Sequence, residues 1–179
     1  MYELEVKARV NDAPTAVQTL TEAGFVFGGT IRQEDQIFAR SVSDIVSPAP
    51  GTVILRLRHE GDTVTLNAKQ HRSNELDCIE EETVVMDPVG AARLLRLLGL
   101  HQVTCITKVR RSATIGDRTI CVDEVEGLGT FVELERLSAE APKADEQAML
   151  VGELVELLGP DVTLVRWGYD RIKLAGRMT

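Results

Sequence analysis

The chain has 179 residues, 44% of them hydrophobic, and a formal net charge of −8. That length and composition fit one globular domain with a substantial core and exclude a disordered polymer. The acidic balance argues against broad binding to nucleic acid or to an anionic membrane, both of which need a basic surface, but it leaves room for a basic pocket built from a few cations.

The opening Met1-Tyr2-Glu3-Leu4-Glu5 holds no apolar leader segment, and no run approaches a membrane span, so a cytoplasmic protein is expected. Residues 2–10 alternate, with Tyr2, Leu4, Val6, Ala8 and Val10 on one side and Glu3, Glu5, Lys7 and Arg9 on the other, which predicts a half-buried strand. Asn11-Asp12 offers a helix cap and Pro14 suits a first turn, so a helix should run to about Ala23, with Gly24 as its stop. A strand is expected over Thr30–Ala39, then a loop over Ser41–Thr52, where prolines, serines and a glycine cluster. Val53–His59 and Thr63–Gln70 flank Glu60-Gly61-Asp62 as a hairpin, and residues 77–86 alternate again. Asp87-Pro88 opens a second helix through Leu98. Strands over 102–114, 118–125 and 130–137 follow, then a helix over 142–158, an extended segment over 162–170 and a short helical tail. About eight hairpin-connected strands and three helices predict an antiparallel α+β architecture, with the whole chain, 1–179, as a single domain without a linker.

Every second residue on these strands carries charge. The positions are Glu3, Glu5 and Lys7; Arg56 and Arg58; Asn67 and Lys69; Cys78, Glu80 and Glu82; Lys108 and Arg110; Asp123; and Glu133 and Glu135. Their neighbours Leu4/Val6, Leu55/Leu57, Leu66/Ala68 and Val132/Leu134 are apolar. A sheet with one wet face would show the same alternation. Against that bland reading, the charges recur on nearly every strand and mix Glu with Arg and Lys. If the sheet closes into an eight-stranded barrel with its apolar face outward under the helices, the charges line the interior. Such an interior needs a compensating ligand, because buried charges weaken stability. The cations suit a polyanion such as a triphosphate, and the carboxylates suit Mg²⁺ or Mn²⁺ bridging its oxygens.

The order of these pieces resembles the CYTH superfamily of triphosphate tunnel metalloenzymes, which includes class IV adenylyl cyclases of the CyaB type, thiamine triphosphatases and inorganic triphosphatases. Glu3-x-Glu5-x-Lys7 resembles its ExExK motif, Leu55-Arg56-Leu57-Arg58 its LRxR strand, Glu80 and Glu82 its ExE strand, and Lys108-Val109-Arg110 its KxR strand. The stretch from Val122 to Glu135, with Gly127-Leu128-Gly129 inside it, is the most specific match, and the resemblance covers nearly the whole chain. It implies an eight-stranded antiparallel tunnel. It implies metal ligation by Glu3, Glu5, Asp123, Glu133 and Glu135, and phosphate contacts from Lys7, Arg56, Arg58, Lys69, Lys108 and Arg110, with Arg166 as a further basic residue near the C-terminus. Glu3, Glu5, Lys7 and Glu135 are then the expected catalytic set, with Glu80 and Glu82 as other acidic groups in the tunnel. The sequence departs from the family at Ile37, Cys78, Ala113 and Gly168, positions that could shape the organic end of the substrate.

Likeness in length and in the Val122–Glu135 strand pair ranks conversion of ATP to cyclic AMP and pyrophosphate first. Hydrolysis of inorganic, thiamine or nucleoside triphosphate is the alternative, and a non-catalytic polyphosphate or nucleotide binder is a third reading. The remaining features have plain expectations. Cys78, Cys105 and Cys121 should be free thiols, His59, His71 and His101 surface residues, and Trp167 a packing residue. Leu94-Leu95-Arg96-Leu97-Leu98 should be a helix face covering the sheet, with homodimerisation through it as the alternative.

Overall fold

The structure, a computed structural model of the chain, describes residues 1–74, 76–143 and 145–176. Its architecture is α+β, a closed antiparallel barrel of eight strands with an extra strand and helices outside. The strand order is β5-β4-β3-β2-β6-β7-β8-β1-β9. The strands are β1 (Tyr2–Val10), β2 (Ile31–Ala39), β3 (Val53–Glu60), β4 (Thr63–Asn74), β5 (Asp77–Val84), β6 (His101–Ile115), β7 (Arg118–Val125), β8 (Gly129–Ser138) and β9 (Thr163–Val165). The helices are α1 (Ala13–Glu22), α2 (Ser43–Val46), α3 (Pro88–Leu97), α4 (Glu146–Leu158) and α5 (Tyr169–Ala175). No helix among the described residues is long and apolar enough to cross a membrane.

One compact unit comprises Met1–Ile31 and Lys108–Arg166. Here β1 pairs antiparallel with β8 in a register that sets Val6 opposite Leu134 and Ala8 opposite Val132. The apolar face of these strands, with Ile120 and Val122 of β7, packs against Ala13, Ala16 and Leu20 of α1 and Leu150 and Leu154 of α4. Burying a leucine such as Leu20 or Leu154 contributes about 1.5–3 kcal/mol, so this face anchors the register of the whole β1–β8–β7 set. Asp12 caps α1 by accepting the Thr15 N–H at 2.8 Å, with Pro14 in the first turn.

The β7–β8 turn is held from the side. Arg9 donates from Nη1 to the Leu128 carbonyl at 2.5 Å, and its guanidinium lies 4.6 Å from the centre of the Phe131 ring. Gly129 sits under that guanidinium with φ of +109°, where an added Cβ would come within 2.8 Å of Arg9 Nη1. The second glycine of Gly127-Leu128-Gly129 is therefore favoured by its backbone conformation, and a Cβ there would also make the Arg9 guanidinium shift.

The other unit comprises Arg32–Thr107 and, among the described residues, 167–176. Strands β2 to β5 form a meander, with Asp35 opposite Arg58, Arg56 opposite Asn67 and Lys69 opposite Glu80. Its apolar core joins Phe38, Leu57 and Leu95, flanked by Leu55, Val64 and Leu66. Helix α3 begins where Asp87 accepts the Gly90 N–H at 2.8 Å.

The structure departs from sequence expectation in several places. The segment expected as a loop over Ser41–Thr52 contains α2, because Asp44 accepts the backbone N–H groups of Arg40 and Ser41, both at 3.1 Å, and Ile45 is buried. Helix α4 starts at Glu146 rather than 142, since Glu146 turns back to accept the Lys143 N–H at 3.1 Å. The extended segment expected over 162–170 is only the three residues of β9, paired to Lys7, Ala8 and Arg9. The leucine-rich face is narrower than expected: Leu95 is buried, whereas Leu94, Leu97 and Leu98 are 62%, 83% and 67% exposed. Trp167 is half exposed rather than packed in a core, with the Arg171 guanidinium 4.9 Å from its ring. His59 and His71 are half-buried within β3 and β4, and only His101 is exposed. None of the three cysteines forms a disulfide.

Gly129→Ala is expected to lower stability by about 1–3 kcal/mol, because it combines a strained φ with a clash against Arg9. Chemical denaturation measures this, and a variant as stable as the parent would contradict the strain assigned to position 129.

Candidate functional site

In the first unit, alternation puts Glu3, Glu5 and Lys7 of β1 on the face opposite the α1–α4 core. The β1–β8 register sets Glu5 against Glu135 and Lys7 against Glu133. The β6–β7 register sets Arg110 against Asp123. Lys7 Nζ lies 2.9 Å from Glu5 Oε1 and 2.9 Å from Glu133 Oε1. Lys108 Nζ donates to Asp123 Oδ2 at 2.9 Å. Arg110 grips Asp123 with two donors, Nε to Oδ1 at 2.7 Å and Nη2 to Oδ2 at 2.6 Å. It also reaches Glu133 Oε2 and, from Nη1, Glu135 Oε1 at 3.5 Å. Glu3, Glu5, Lys7, Lys108, Asp123 and Glu133 are all buried.

Burial alone would raise the Glu133 carboxyl, but Lys7, Arg110 and Lys108 outweigh it and hold the group well below the usual carboxylate range. Asp123 is likewise held low by Lys108 and Arg110 against its burial. Lys7 is raised above the ordinary lysine range, because the charges of Glu133 and Glu5 overcome its desolvation. All of these groups are charged at neutral pH. Cys121, opposite Glu133 in the β7–β8 register, has a thiol pushed up by burial and by Glu135, so it stays protonated and is no nucleophile.

Within this network Glu3, Glu5 and Glu135 converge, each offering a carboxylate oxygen within 4.8 Å of the others. Carboxylates directly opposite in register repel. Three hard oxygen donors at this spacing match what Mg²⁺ or Mn²⁺ takes. Asp123 and Glu133, also expected as ligands, are bonded to Lys108, Arg110 and Lys7. Arg166 is exposed just after β9 and joins none of these ion pairs.

In the second unit the basic pair Arg56 and Arg58 meets an acid that sequence reasoning left out of the site. Arg58 is bidentate to Asp35, Nε to Oδ1 at 2.7 Å and Nη2 to Oδ2 at 2.8 Å, and Asp35 is 3% exposed. Arg56 reaches Asp35 at 3.5 Å, Asn67 Oδ1 at 3.3 Å and Glu80 Oε1 at 3.4 Å. Lys69 Nζ lies 3.0 Å from Glu80 Oε2. Glu82 is exposed and accepts from the Thr65 hydroxyl at 3.2 Å. The signal for Asp35 was its placement two residues from Ile37 and three from Phe38, which puts it on the charged face of β2. The gap was in pairing that strand with Arg58.

A CYTH domain family model matches residues 1–168. A Methanocaldococcus jannaschii protein provisionally named as an adenylate cyclase is 28% identical over 88% of each chain. The solved structure of the PH1819 protein from Pyrococcus horikoshii has a TM-score of 0.75 at 26% identity, covering 98% of this chain and 99% of its own. A Hippeastrum protein provisionally named as an adenylyl cyclase, and described as having a dominant triphosphatase activity, has a TM-score of 0.65 at 20% identity, covering 98% and 96% of the two chains. That last likeness speaks for the fold alone.

Because Glu133 and Asp123 titrate lower in the folded than in the unfolded chain, their contribution is complete above the ordinary carboxylate pKa and is lost as pH falls through the lowered values. Glu133→Gln leaves Lys7 and Arg110 undercompensated and is expected to cost about 3–5 kcal/mol at neutral pH. The deficit should shrink at acid pH, below the usual carboxylate range, as the parent carboxyl also takes a proton. Denaturation curves at several pH values check this, and a deficit that does not change with pH would contradict it.

Proposed function

This chain belongs to the CYTH family, and we propose that it is a divalent-metal-dependent enzyme that converts ATP to cyclic AMP and pyrophosphate, working as one domain in the cytoplasm. The observation that carries the metal dependence is the convergence of Glu3, Glu5 and Glu135. These three form the core of the proposed metal set, which Asp123 and Glu133 complete. Bound there, Mg²⁺ or Mn²⁺ would supply positive charge to the phosphate oxygens.

The chain's own residues supply the rest. Lys7, Lys108 and Arg110 are already ordered by carboxylates, so a phosphate chain meets donors that need little reorganisation. Arg110 presents a planar fork suited to two phosphate oxygens, while Lys7 and Lys108 act as point charges. In the other unit Arg56, Arg58 and Lys69 offer the same chemistry, and the family resemblance adds Arg166. In the cyclase reaction the ribose 3′-hydroxyl releases its proton to water as its oxygen bonds to the α-phosphorus, the bond to the bridging oxygen breaks, and pyrophosphate leaves with its charge held by the cations. The Glu3, Glu5, Lys7 and Glu135 cluster is assigned to this step.

The second reading is hydrolysis, with water attacking a phosphorus of inorganic, thiamine or nucleoside triphosphate. Hydrolysis is the activity described for the Hippeastrum neighbour, whose likeness to this chain is one of fold. The two reactions need the same cations and carboxylates and differ in which oxygen attacks.

Incubating the protein with ATP, inorganic triphosphate and thiamine triphosphate, each with Mg²⁺ or Mn²⁺, separates the readings. Cyclic AMP with pyrophosphate identifies the cyclase and orthophosphate the hydrolase. Glu5→Ala and Glu135→Ala are each expected to abolish turnover, and metal-dependent activity retained in both would overturn the metal assignment.

A further inference from the structure

Gln33 and Thr104 are polar, 5% and 6% exposed, and have no place in the ion-pair network. Gln33 donates from Nε2 to Glu60 Oε2 at 2.7 Å. A carboxylate only accepts, so this bond fixes the orientation of the amide and commits Oε1 to be an acceptor. That Oε1 is buried without a hydrogen-bond partner among the described residues, and so is the Thr104 hydroxyl. A buried polar atom left unsatisfied keeps the full cost of its lost hydration.

The two side chains belong to one neighbourhood of the second unit. Strand β6 is the neighbour of β2 in the sheet. Burial pushes the Cys105 thiol up, and the charges it feels next, Glu34, Lys173, Asp35 and Arg32, include three from β2, in keeping with the neighbouring places of the two strands. Cys105 and Glu34 are half-buried and Arg32 is exposed, whereas Gln33, Asp35 and Thr104 are buried. By alternation Thr104 therefore shares the inner face with Gln33 and Asp35. On that face Asp35 carries Arg58 and Arg56, two of the cations assigned to phosphate.

We propose that Gln33 and Thr104 are specificity-determining residues that read an organic head carrying an amino group beside a ring nitrogen. This deepens, and rests on, the reading of the chain as a triphosphate-binding enzyme. The amino N–H donates to Gln33 Oε1, and the Thr104 hydroxyl donates to the ring nitrogen. The 6-aminopurine of ATP and the 4-aminopyrimidine of thiamine triphosphate share this edge. Inosine triphosphate reverses it, presenting a carbonyl to the Gln33 acceptor and an N–H beside it, and inorganic triphosphate has no head at all. A site built this way discriminates strongly, because the wrong edge leaves buried polar atoms unpaired.

The test uses methylene-bridged, uncleavable analogues of ATP, thiamine triphosphate, inosine triphosphate and inorganic triphosphate, with affinities measured calorimetrically in Mg²⁺. The protein is expected to bind at least one of the two amino-bearing analogues about tenfold or more tightly than the inosine analogue, and which one it is identifies the head. Thr104→Val keeps the side-chain shape, so stability should hold or rise. It should weaken the amino-bearing analogue about tenfold and leave inorganic triphosphate within about twofold. Gln33→Met should do the same. Equal binding of the inosine analogue, an equal loss for every analogue, or no loss in either variant overturns the proposal while leaving triphosphate binding standing. If the parent protein binds none of the four, the functional reading falls with it. Should neither variant fold, the parent's discrimination between amino and inosine heads decides alone.

Discussion

Glu133 lies buried between Lys7 and Arg110, and much of the first unit is arranged around keeping it there. A lone carboxylate in that position would be driven to take a proton. It remains charged because Lys7 stands directly opposite it in the β1–β8 register and Arg110 reaches it from β6. Both cations need further acids: Lys7 also holds Glu5, and Arg110 is bidentate to Asp123. A slip of one residue of β1 along β8 would turn Glu5 and Lys7 into the apolar layer under α1 and α4 and leave Glu133 without its lysine. The hydrophobic packing on one face and the charge balance on the other therefore enforce the same register.

Such a network is a poor way to gain stability. Well-packed apolar residues of similar volume often do as well or better. Its presence in a domain with an ample core is more readily understood through what it can bind. Carboxylates hold the cations extended and charged before any phosphate arrives, so little reorganisation is needed on binding. The second unit repeats the arrangement with different parts, Asp35 ordering Arg58 and Glu80 ordering Arg56 and Lys69. Family membership and fold do not choose among the reactions such a set supports, because chemistry lives in the site. Cyclisation and hydrolysis both call for neutralised phosphate oxygens. They part at the organic end of the substrate, where Gln33 and Thr104 lie in the proposed reading.

The strands and their polar faces were legible in the chain because period-two alternation is a local property. Glu3, Glu5 and Lys7 read as one face from nine residues, and the β3–β4 hairpin read from Glu60-Gly61-Asp62. Caps at Asp12 and Asp87 were likewise local. Helix α2 was not legible, because it depends on Asp44 reaching back to two backbone N–H groups in a stretch whose composition signals a loop. The split of the leucine-rich helix into one buried and three exposed leucines also depends on which neighbours lie beneath it.

The candidate site divides along the same line. Residue types and their alternation were enough to nominate the carboxylates and cations, since each needs only its own strand to know which way it faces. Partnership was not local. That Asp35 engages Arg58, that Asp123 and Glu133 are engaged by cations while Glu3, Glu5 and Glu135 draw together, and that Gln33 and Thr104 are left with unpaired buried atoms all follow from register between strands far apart in the chain. Alternation tells a side chain its face; only pairing across the sheet sets the distances on which coordination and hydrogen bonding depend.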